Sequence, residues 1–337
     1  MKTGFAYDDV LLVPQYSGVR SRSEVKLHSE LTEFIKLELP IVASPMDTVS
    51  ECEMANRLSQ LGGVAIIHRY NTITEQTTIV ASLPDQVKVG AAVGVSGDYL
   101  DRALSLYEAG ADFLCVDVAH GHHILMKEAL TALREILPSR FHLMAGNVAT
   151  LEGFNDLADW GADSIRCNIG GGSICTTRIQ TGHGVPGLET IFECAKSDRD
   201  AKIIADGGIK TSGDIVKALA AGADFVMLGS LLAGTDESPG ETFTGNCGGL
   251  RKVYRGMASS TAQQDWRGKV ASQEGVSSSV PYKGPVATVI NELVTGIRSG
   301  LSYSGVRTIK ELQLKAKWLK QTNAGIIESS DHVRLIK

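Results

Sequence analysis

Eight short apolar runs are spaced along the chain, and each ends in polar residues or glycine. None of them alternates apolar with polar positions, as a strand with one solvent-exposed face would. Uninterrupted apolar runs are typical of parallel strands that are covered on both faces. The runs therefore predict eight parallel strands, which read LPIVASPM from Leu39, GGVAIIHR from Gly62, VGAAVGV from Val89, FLCVDVAH from Phe113, HLMAGNV from His142, SIRCNIG from Ser164, KIIADGG from Lys202 and FVMLGS from Phe225.

The segments between these runs have the apolar spacing of helices, as in DYLDRALSLYEAGAD and GDIVKALAAGAD. The tripeptide GAD recurs at Gly110, Gly161 and Gly222, where a helix would end on glycine before the next strand. Eight strand-helix units predict an α/β fold of the (β/α)8 TIM barrel type, with residues 1–337 as a single domain. The alternative is an open doubly wound sheet, which expects a GxGxxG turn that does not follow the first two runs.

Composition and charge narrow the class of protein. The chain has 337 residues, of which 43% are hydrophobic and 21% charged, enough to bury the core of one barrel. The net charge of -5 and the scattered Lys and Arg residues give no indication of a nucleic-acid groove. No apolar run approaches the roughly 18 residues of a membrane span, and MKTGFAYDDV lacks the basic and apolar blocks of a signal peptide. We therefore expect a cytoplasmic protein.

The cysteines have no CxxC pair and no zinc-site spacing, which predicts free thiols in a reducing compartment. Cys115 and Cys194 lie in apolar surroundings and are expected to be inert core residues. Cys175 differs, because in the segment NIGGGSICTTR three glycines precede it and two threonines follow it. Glycines let backbone N–H groups approach a ligand closely, and such a donor-rich bend stabilises a thiolate. The six cysteines are Cys52, Cys115, Cys167, Cys175, Cys194 and Cys247.

An insertion follows the eighth predicted strand. Residues 234–283 are rich in Gly, Ser, Thr and Gln, and PVATVINELVTGIRSGL after them has the spacing of a closing helix. Such a long connection is either functional or an ordinary variable surface loop. We interpret residues 234–283, called the flap below, as a mobile cover over the active site.

Polar residues end most of the predicted strands, at the face of a barrel where chemistry takes place. The loops after the last two strands of such barrels frequently bind phosphate, and ADGG with MLGS supplies glycine N–H groups and a serine hydroxyl. A carboxylate at Asp206 beside a phosphate suits a ribose diol, which predicts a nucleotide monophosphate ligand. The strand-end residues are Ser44, Met46, Asp47, His68, Arg69, Asp117, His120, Asn147, Gly170–Cys175, Asp206–Gly208, Gly229 and Ser230.

Two groups in this set have simpler interpretations. Asp117 and Asp206 could each cap the helix that follows. The segment HGHH from His120 to His123 suggests a metal site, but adjacent side chains alternate in direction and no third ligand accompanies them at a recognisable spacing. We therefore expect no metal at these histidines.

Several motifs together make the chain resemble the IMP dehydrogenase and GMP reductase family over nearly its whole length. The resemblance implies a TIM barrel that assembles as a homotetramer, with Cys175 as the nucleophile that attacks C2 of a bound purine nucleotide. It also implies that the CBS modules of many dehydrogenases are absent here, because GGVAIIHR reaches VGAAVGV through one short helix. The motifs are IVASPMDTVSE, GGVAIIHRYNT, DVAHGH, AGNV, GGGSICTTR, ADGGI, VMLGSLLAG, YRGM and VPYKGP.

The resemblance also assigns roles to binding residues. Asp206 is expected to hold the ribose hydroxyls, and Met257 with Glu274 to contact the base. The expected phosphate ligands are Ser173, Gly208, Gly229, Ser230 and Tyr254, with Ser44, Met46 and Gly256 completing the substrate site. The nicotinamide cofactor, NADPH or alternatively NAD, is expected near Asp117, Asn147 and Thr177. The resemblance to dehydrogenases also implies a K+ ion, held by the carbonyls of Gly170, Gly172 and Cys175 with Glu328 of a neighbouring subunit.

The flap favours the reductase within this family. Dehydrogenases of the family use an Arg-Tyr pair in the flap to activate water, whereas reductases use a threonine with a flap glutamate to handle ammonia. The segment from Gly256 to Gly284 contains no Arg-Tyr dipeptide. We therefore expect Cys175 as nucleophile, Thr177 as the hydroxyl at the leaving amine and Glu274 as the proton donor or acceptor. Thr177 has an alternative role as a hydroxyl that only orders the loop.

Other features favour the dehydrogenase, which stays the alternative. SPMDTVSE, HRYNT, YRGM, VPYKGP and the tail from Gly296 to Val333 look more like bacterial dehydrogenases, and Arg267 is a candidate for a displaced water-activating arginine. The cysteine loop carries Asn168 and Gly171 where relatives more often have Gly and Pro or Ser, so we expect it to be less preorganised. A non-catalytic nucleotide-binding relative is a second alternative, although a mere binder has no need for an exposed thiol at Cys175.

Overall fold

The computed structural model describes residues 2–245, 248–270 and 273–329. Its centre is a closed barrel of eight parallel strands, in which each strand pairs with its sequence neighbours and the last strand closes on the first. All eight strands predicted from the apolar runs are confirmed. They are β4 (Ile41–Ala43), β5 (Val64–Ile67), β6 (Val89–Val93), β7 (Phe113–Asp117), β8 (His142–Val148), β9 (Ser164–Cys167), β10 (Lys202–Asp206) and β11 (Phe225–Leu228).

Helices surround the barrel and return the chain to the start of each next strand. Gly110, Gly161 and Gly222 follow three of them with φ of +95°, +110° and +120°, which confirms the predicted helix ends, because this backbone region favours glycine. The helices between barrel strands are α1 (Cys52–Gln60), α2 (Ile73–Ala81), α3 (Tyr99–Glu108), α4 (Ile124–Ile136), α5 (Leu151–Asp159), α6 (Thr177–Thr181), α7 (Gly187–Cys194) and α8 (Ser212–Ala220).

The chain before the barrel forms an arm that covers the barrel bottom. The hairpin of β2 (Ser29–Glu30) and β3 (Lys36–Leu37) places Leu31, Ile35 and Leu37 against the side chains that fill the barrel interior. Ahead of it, β1 (Val10–Leu12) pairs antiparallel with β15 (Trp318–Lys320) near the C-terminus. The barrel interior is filled by Val42, Val64, Ile66, Ala92, Phe113, Cys115, Met144, Ile204, Phe225 and Met227.

The flap has more regular structure than its composition suggested. Its three-stranded antiparallel sheet consists of β12 (Phe243–Thr244), β13 (Leu250–Arg255) and β14 (Ser277–Pro281), and helix α9 (Ser260–Arg267) lies between the last two strands. The expected closing helix follows as α10 (Val286–Tyr303), before α11 (Ile309–Lys315) and α12 (Asn323–Glu328). The mobility of the flap stays a prediction.

Two expectations concern absences. Over the residues that the structure describes, no helix is long and apolar enough to cross a membrane. Helix α2 ends at Ala81 and β6 begins at Val89, so a short connection joins them. The single-domain organisation and the absence of CBS modules stay predictions.

Candidate active site

The predicted catalytic residues Cys175, Thr177 and Glu274 lie in one hydrogen-bonded chain. The Cys175 Sγ donates to Thr177 Oγ1 at 3.2 Å, and the Thr177 hydroxyl donates to Glu274 Oε2 at 2.8 Å. Thr177 is buried, while Cys175 and Glu274 are half-buried. A proton can therefore pass from the thiol to the carboxylate through one hydroxyl without crossing bulk water.

Backbone pairing between the cysteine loop and the flap brings Glu274 to this position. The N–H of Thr176 donates to the Glu274 carbonyl at 2.9 Å, and the N–H of Val276 donates to the Ile174 carbonyl at 3.0 Å. Gly275 lies opposite Cys175 in this bridge, and a Cβ added there would lie 3.1 Å from the Ser259 nitrogen. The glycine thus permits the close approach of three backbone segments.

The cysteine loop begins at an asparagine in an unusual backbone conformation. Asn168 is buried with φ of +130°, a region that L residues other than glycine rarely adopt. Its Nδ2 donates to the Gly207 carbonyl at 3.3 Å, and Arg178 donates to its Oδ1 at 3.4 Å. A Cβ at Gly171 would lie 2.1 Å from Asn168 Nδ2. Asn168 and Gly171 are therefore physically coupled, because the Asn168 side chain occupies the space that Gly171 leaves.

Four of the predicted substrate residues meet at the ends of β4 and β11. A Cβ added to Gly229 would lie 2.9 Å from Tyr254 Oη, 3.1 Å from Ser44 Oγ and 3.3 Å from Met46 Sδ. Burial raises the pKa of Tyr254 to about 12, while its hydrogen bond with Ser173 acts in the opposite direction. Within the described residues, the buried Ser44 Oγ has no hydrogen-bond partner. A buried hydroxyl without a partner is rare and is consistent with a polar ligand at this place.

The remaining predicted substrate residues border this cluster. Gly208 has φ of +77° and faces the carbonyl of Gly171, so the loop after β10 lies against the cysteine loop. Ser230 follows Gly229 in the same turn. At the base of the flap, Met257 Sδ lies 3.4 Å from the Asp47 nitrogen, and Gly256 lies beside the Ile174 carbonyl.

A buried arginine that the sequence interpretation missed connects two predicted residues, Asp117 and Asp206. Arg166 on β9 forms an ion pair with Asp117 and donates to Asp206 Oδ2 from Nε at 3.1 Å and from Nη2 at 2.8 Å. The Asn147 Nδ2 donates to the same Asp206 oxygen at 2.8 Å. The signal in the sequence was one charged residue within the apolar run SIRCNIG. A buried charge is retained only when it is paired, so Arg166 required a carboxylate partner.

These ion pairs also set the charges at the barrel mouth. Burial by itself lowers the pKa of Arg166, but the carboxylates of Asp206 and Asp117 outweigh burial and raise that pKa. Burial favours protonated Asp117, but Arg166 and Arg69 outweigh burial and lower the Asp117 pKa. Arg166 and Asp117 are therefore both charged at neutral pH.

The helix-cap interpretation of these aspartates is wrong for both. Helix α4 is capped by His123, whose side chain accepts the Leu125 N–H, and α8 is capped by Thr211. In the HGHH segment, His122 pairs with Asp156 at 2.8 Å. Over the described part of the chain, no three His, Cys, Asp or Glu side chains are placed to hold a metal ion together.

The two cysteines that were expected in the core lie there. Cys115 and Cys194 are fully buried, and burial raises the pKa of the Cys115 thiol to about 12. Cys175 is half-buried and lies at the centre of the site. Cys247 lies outside the described residues.

Comparison with known proteins identifies the family. The profile of the IMP dehydrogenase / GMP reductase domain matches residues 4–332. The chain belongs to the IMP dehydrogenase / GMP reductase family. It is therefore an oxidoreductase of a family that acts on purine nucleotides and uses NAD or NADP. The resemblance expected from the motifs and the barrel fold are both confirmed.

The relatives of the chain include proteins named for each of the two family activities. It is 34% identical to an inosine-5'-monophosphate dehydrogenase of Nitrosopumilus maritimus over 98% of each chain. It is 33% identical to a GMP reductase of Leishmania major, over 98% of this chain and 96% of the relative. Both activities therefore occur among relatives at nearly equal identity.

A solved structure matches the whole fold. A cysteine-to-alanine variant of GMP reductase from Trypanosoma brucei, in complex with guanosine 5'-monophosphate, superposes with a TM-score of 0.94 at 32% identity and covers 99% of both chains. Overall shape alone does not separate the two activities, because one barrel supports different chemistries through its loops.

Proposed function

We propose that the protein is a GMP reductase, which converts GMP to IMP and ammonia while NADPH is oxidised. The observation that carries this proposal is the hydrogen-bonded chain from Cys175 through Thr177 to Glu274. It links the nucleophile to a flap carboxylate through a hydroxyl, which suits the protonation of a leaving amine. The absence of an Arg-Tyr dipeptide between Gly256 and Gly284 supports the same choice.

The first step removes the amine of GMP. The thiol proton moves to the Thr177 hydroxyl as that hydroxyl passes its own proton to Glu274, and the thiolate attacks C2 of guanine. The new S–C2 bond forms, the C2–N bond to the exocyclic amine breaks, and Glu274 returns its proton through Thr177 to the departing nitrogen. This one proton, added to the –NH2 group, completes ammonia, and the purine stays bonded to Cys175 through C2.

The second step replaces the sulfur at C2. NADPH, when bound, supplies a hydride to C2 of the covalent adduct. The S–C2 bond then breaks with its electron pair on sulfur, which releases IMP and regenerates the Cys175 thiolate. The Cys175 thiolate then takes up a proton from solvent, which restores the thiol and its hydrogen bond to Thr177.

The binding residues fit a nucleotide monophosphate. We infer that the phosphate lies at Gly208, Gly229 and Ser230, beside the hydroxyls of Ser173 and Tyr254. Because Asp206 Oδ2 already accepts from Asn147 and from two nitrogens of Arg166, the ribose hydroxyls would use Oδ1. The buried Ser44 Oγ provides a further polar contact.

The expected cofactor residues surround this mouth. Asn147 donates its Nδ2 to Asp206 and to the Asn168 carbonyl at 3.0 Å, so its Oδ1 is the atom that could accept from a nicotinamide carboxamide. Asp117 is held by Arg166 and Arg69. This set of fixed polar side chains fits a nicotinamide above the purine, with NADPH as the proposed donor and NAD as the alternative.

The expected K+ site depends on backbone carbonyls. The Gly172 carbonyl already accepts the Cys175 N–H at 3.1 Å, and Gly170 has φ of +77°. Glu328 ends α12 and is exposed, as a contact to a neighbouring subunit requires. The K+ site therefore stays a prediction, and the dependence of activity on K+ tests it.

The alternative is an IMP dehydrogenase, which would oxidise IMP to XMP with NAD. The dehydrogenase relatives favour it, and it requires a group that activates water in place of the Arg-Tyr pair. The candidate Arg267 lies over the Trp266 ring at 4.5 Å, beside a cavity of about 540 Å³ that Tyr70 and Arg102 also line. The contact with Trp266 gives Arg267 a packing role in the flap.

Two parallel assays at 340 nm separate the hypotheses. A loss of absorbance with GMP and NADPH, with ammonia released, is the expected result. A gain of absorbance with IMP, NAD and K+ would replace the reductase by the dehydrogenase. If neither assay responds while GMP or IMP raises the melting temperature, the protein is the non-catalytic nucleotide-binding relative.

A further inference from the structure

Two lysines of the flap hold the segment that follows β11. Lys283 lies just after β14, and its Nζ donates to the carbonyls of Ser230, Leu231 and Ala233 at 2.6, 3.1 and 2.8 Å. Lys252 lies on β13, and its Nζ donates to the carbonyls of Thr235, Asp236 and Ser238 at 3.0, 3.3 and 2.5 Å. Each ammonium group therefore binds three backbone carbonyls of residues 230–238.

The contacts of Lys283 are concentrated on one turn. The N–H groups of Leu232 and Ala233 donate to the Gly229 carbonyl at 3.0 and 2.9 Å, so residues 229–233 close into a single turn. A lysine ammonium has three N–H donors, and Lys283 uses all three on this turn. It has no donor left for a ligand, so any effect on binding must act through the turn.

Backbone pairing adds to the connection between the turn and the flap. The Lys283 N–H donates to the Gly234 carbonyl at 2.8 Å, and the Asp236 N–H donates to the Gly284 carbonyl at 2.9 Å. The other end of the turn borders the substrate site, because a Cβ added to Gly229 would lie 2.9 Å from Tyr254 Oη and 3.1 Å from Ser44 Oγ. The turn is thus fixed between the flap and the substrate site.

We propose that Lys283 is a positioning residue that sets the preference of the site for a nucleotide monophosphate over the nucleoside. It holds the 229–233 turn so that Gly229 and Ser230 face the phosphate. The inference rests on the phosphate position given under Proposed function, and it holds for GMP and IMP alike. Residues that position a binding group contribute only to the part of the ligand that this group contacts.

The test compares nucleotide with nucleoside. Calorimetric titration gives the Kd of GMP and IMP, and competition against the nucleotide gives the Kd of guanosine and inosine. Lys283→Met should raise the Kd of both nucleotides about 10-fold or more, because hydrogen bonds to a charged group are lost, while the nucleoside values change less than about 2-fold. Lys283→Arg retains the charge and should restore part of the nucleotide affinity.

A matched control is Lys88→Met, which removes a half-buried lysine paired with Asp112. Lys88 directly precedes β6 and therefore lies at the end of the barrel opposite the substrate site. It should leave all four Kd values unchanged. Equal losses for nucleotides and nucleosides in Lys283→Met would show a general structural role and overturn the proposal, as would unchanged nucleotide affinity. If Lys283→Met does not fold, Lys283→Arg supplies the same comparison. If no purine nucleotide binds the wild type, the proposed function itself fails, which is a distinguishable result.

Discussion

At the scale of single residues, the central feature is the relay of Cys175, Thr177 and Glu274. The sequence motifs predicted all three residues. Thr177 and Glu274 are 97 residues apart, so only the fold shows the contact between the hydroxyl and the carboxylate. A role of Thr177 in ordering the loop does not by itself explain why its Oγ1 also accepts a hydrogen bond from the thiol. Their catalytic roles stay predictions until variants are measured.

Replacing the carboxylate tests the relay. Glu274→Gln should lower kcat by about 100-fold or more, because an amide cannot take up and return the proton of the relay. The Kd of GMP should change little, since the phosphate and ribose contacts remain. Steady-state kinetics together with calorimetry measure the two values. Near-normal kcat in Glu274→Gln would remove Glu274 from the mechanism.

Asn168 and Gly171 form a second residue-scale feature that the sequence presented only as two separate departures. Gly171→Ser should lower the free energy of unfolding by about 1–3 kcal/mol, because its Cβ would collide with the Asn168 side chain. Adding Asn168→Gly should recover most of this loss, since glycine tolerates the positive φ and vacates the space. Chemical denaturation of the two single variants and the double variant measures the coupling. Additive effects would contradict the coupling.

The ion pairs of Arg166 at the barrel mouth could not be predicted from the sequence. The polar strand ends predicted Asp117, Asn147 and Asp206 individually, because each follows an apolar run. Their connection depends on a side chain that projects from β9 into the barrel, and pairing partners across a closed barrel have no fixed spacing in the sequence.

At the scale of elements, the flap was the least predictable part. Its strands have exposed and polar positions, as in the SSSVP segment of β14, so the apolar patterns that identified the barrel strands are absent. The antiparallel sheet instead forms by pairing Leu250–Arg255 with Ser277–Pro281 across a connection that contains α9. Helix α10 was predictable, because it buries a regular apolar stripe.

Arg255 connects the flap to the barrel, and removing it tests the importance of docking. Its Nε and Nη2 donate to Asp47 Oδ2 at 2.9 and 2.6 Å, and its Nη1 donates to Asp265 at 2.5 Å. Arg255→Met should increase the rate of proteolysis within the flap about 10-fold, because about 1–2 kcal/mol of docking is lost. It should also lower kcat/KM, since Glu274 is brought to Thr177 by the docked flap.

Arg251→Met is the matched control, because among the described residues the side chain of Arg251 donates to Ser279 of the flap sheet, at 2.8 and 2.5 Å, and not to the barrel. Limited proteolysis with mass spectrometry locates the cleavage. Cleavage rates that rise equally in both variants would mean that the sheet itself, and not its docking, limits opening.

At the scale of the whole molecule, the barrel was predictable because every strand is covered on both faces. Continuous apolar runs then identify strands without any need for alternation, and the glycines after helices mark the turns. The homotetramer and the cytoplasmic location are properties that the structure of one chain does not test. They stay predictions, as does the lack of CBS modules. Light scattering of the purified protein checks the predicted tetramer.

The stability of the whole chain should depend on pH through His142, which lies buried at the start of β8. Burial lowers the pKa of His142 to about 4, although Asp163 acts in the opposite direction. The unfolded chain takes up this proton near pH 6.5, so it binds more protons than the folded chain between about pH 4 and 6.5. The free energy of unfolding should therefore be highest above that window and fall by up to about 3 kcal/mol as the pH drops through it.

Urea unfolding at a series of pH values measures this dependence. His142→Gln should flatten the part of the curve between about pH 4 and 6.5, because no proton is then taken up at this position. An unchanged curve would mean that other groups cause the acid sensitivity.

The most direct test of the proposed reductase follows the exocyclic nitrogen of GMP. GMP labelled with ¹⁵N at this amine is incubated with NADPH, and labelled ammonium, IMP and oxidised NADPH are quantified together. The wild type should give equal amounts of the three products, and Cys175→Ala should give none while still binding GMP. Formation of XMP from IMP and NAD, with no labelled ammonium from GMP, would contradict the proposed reductase.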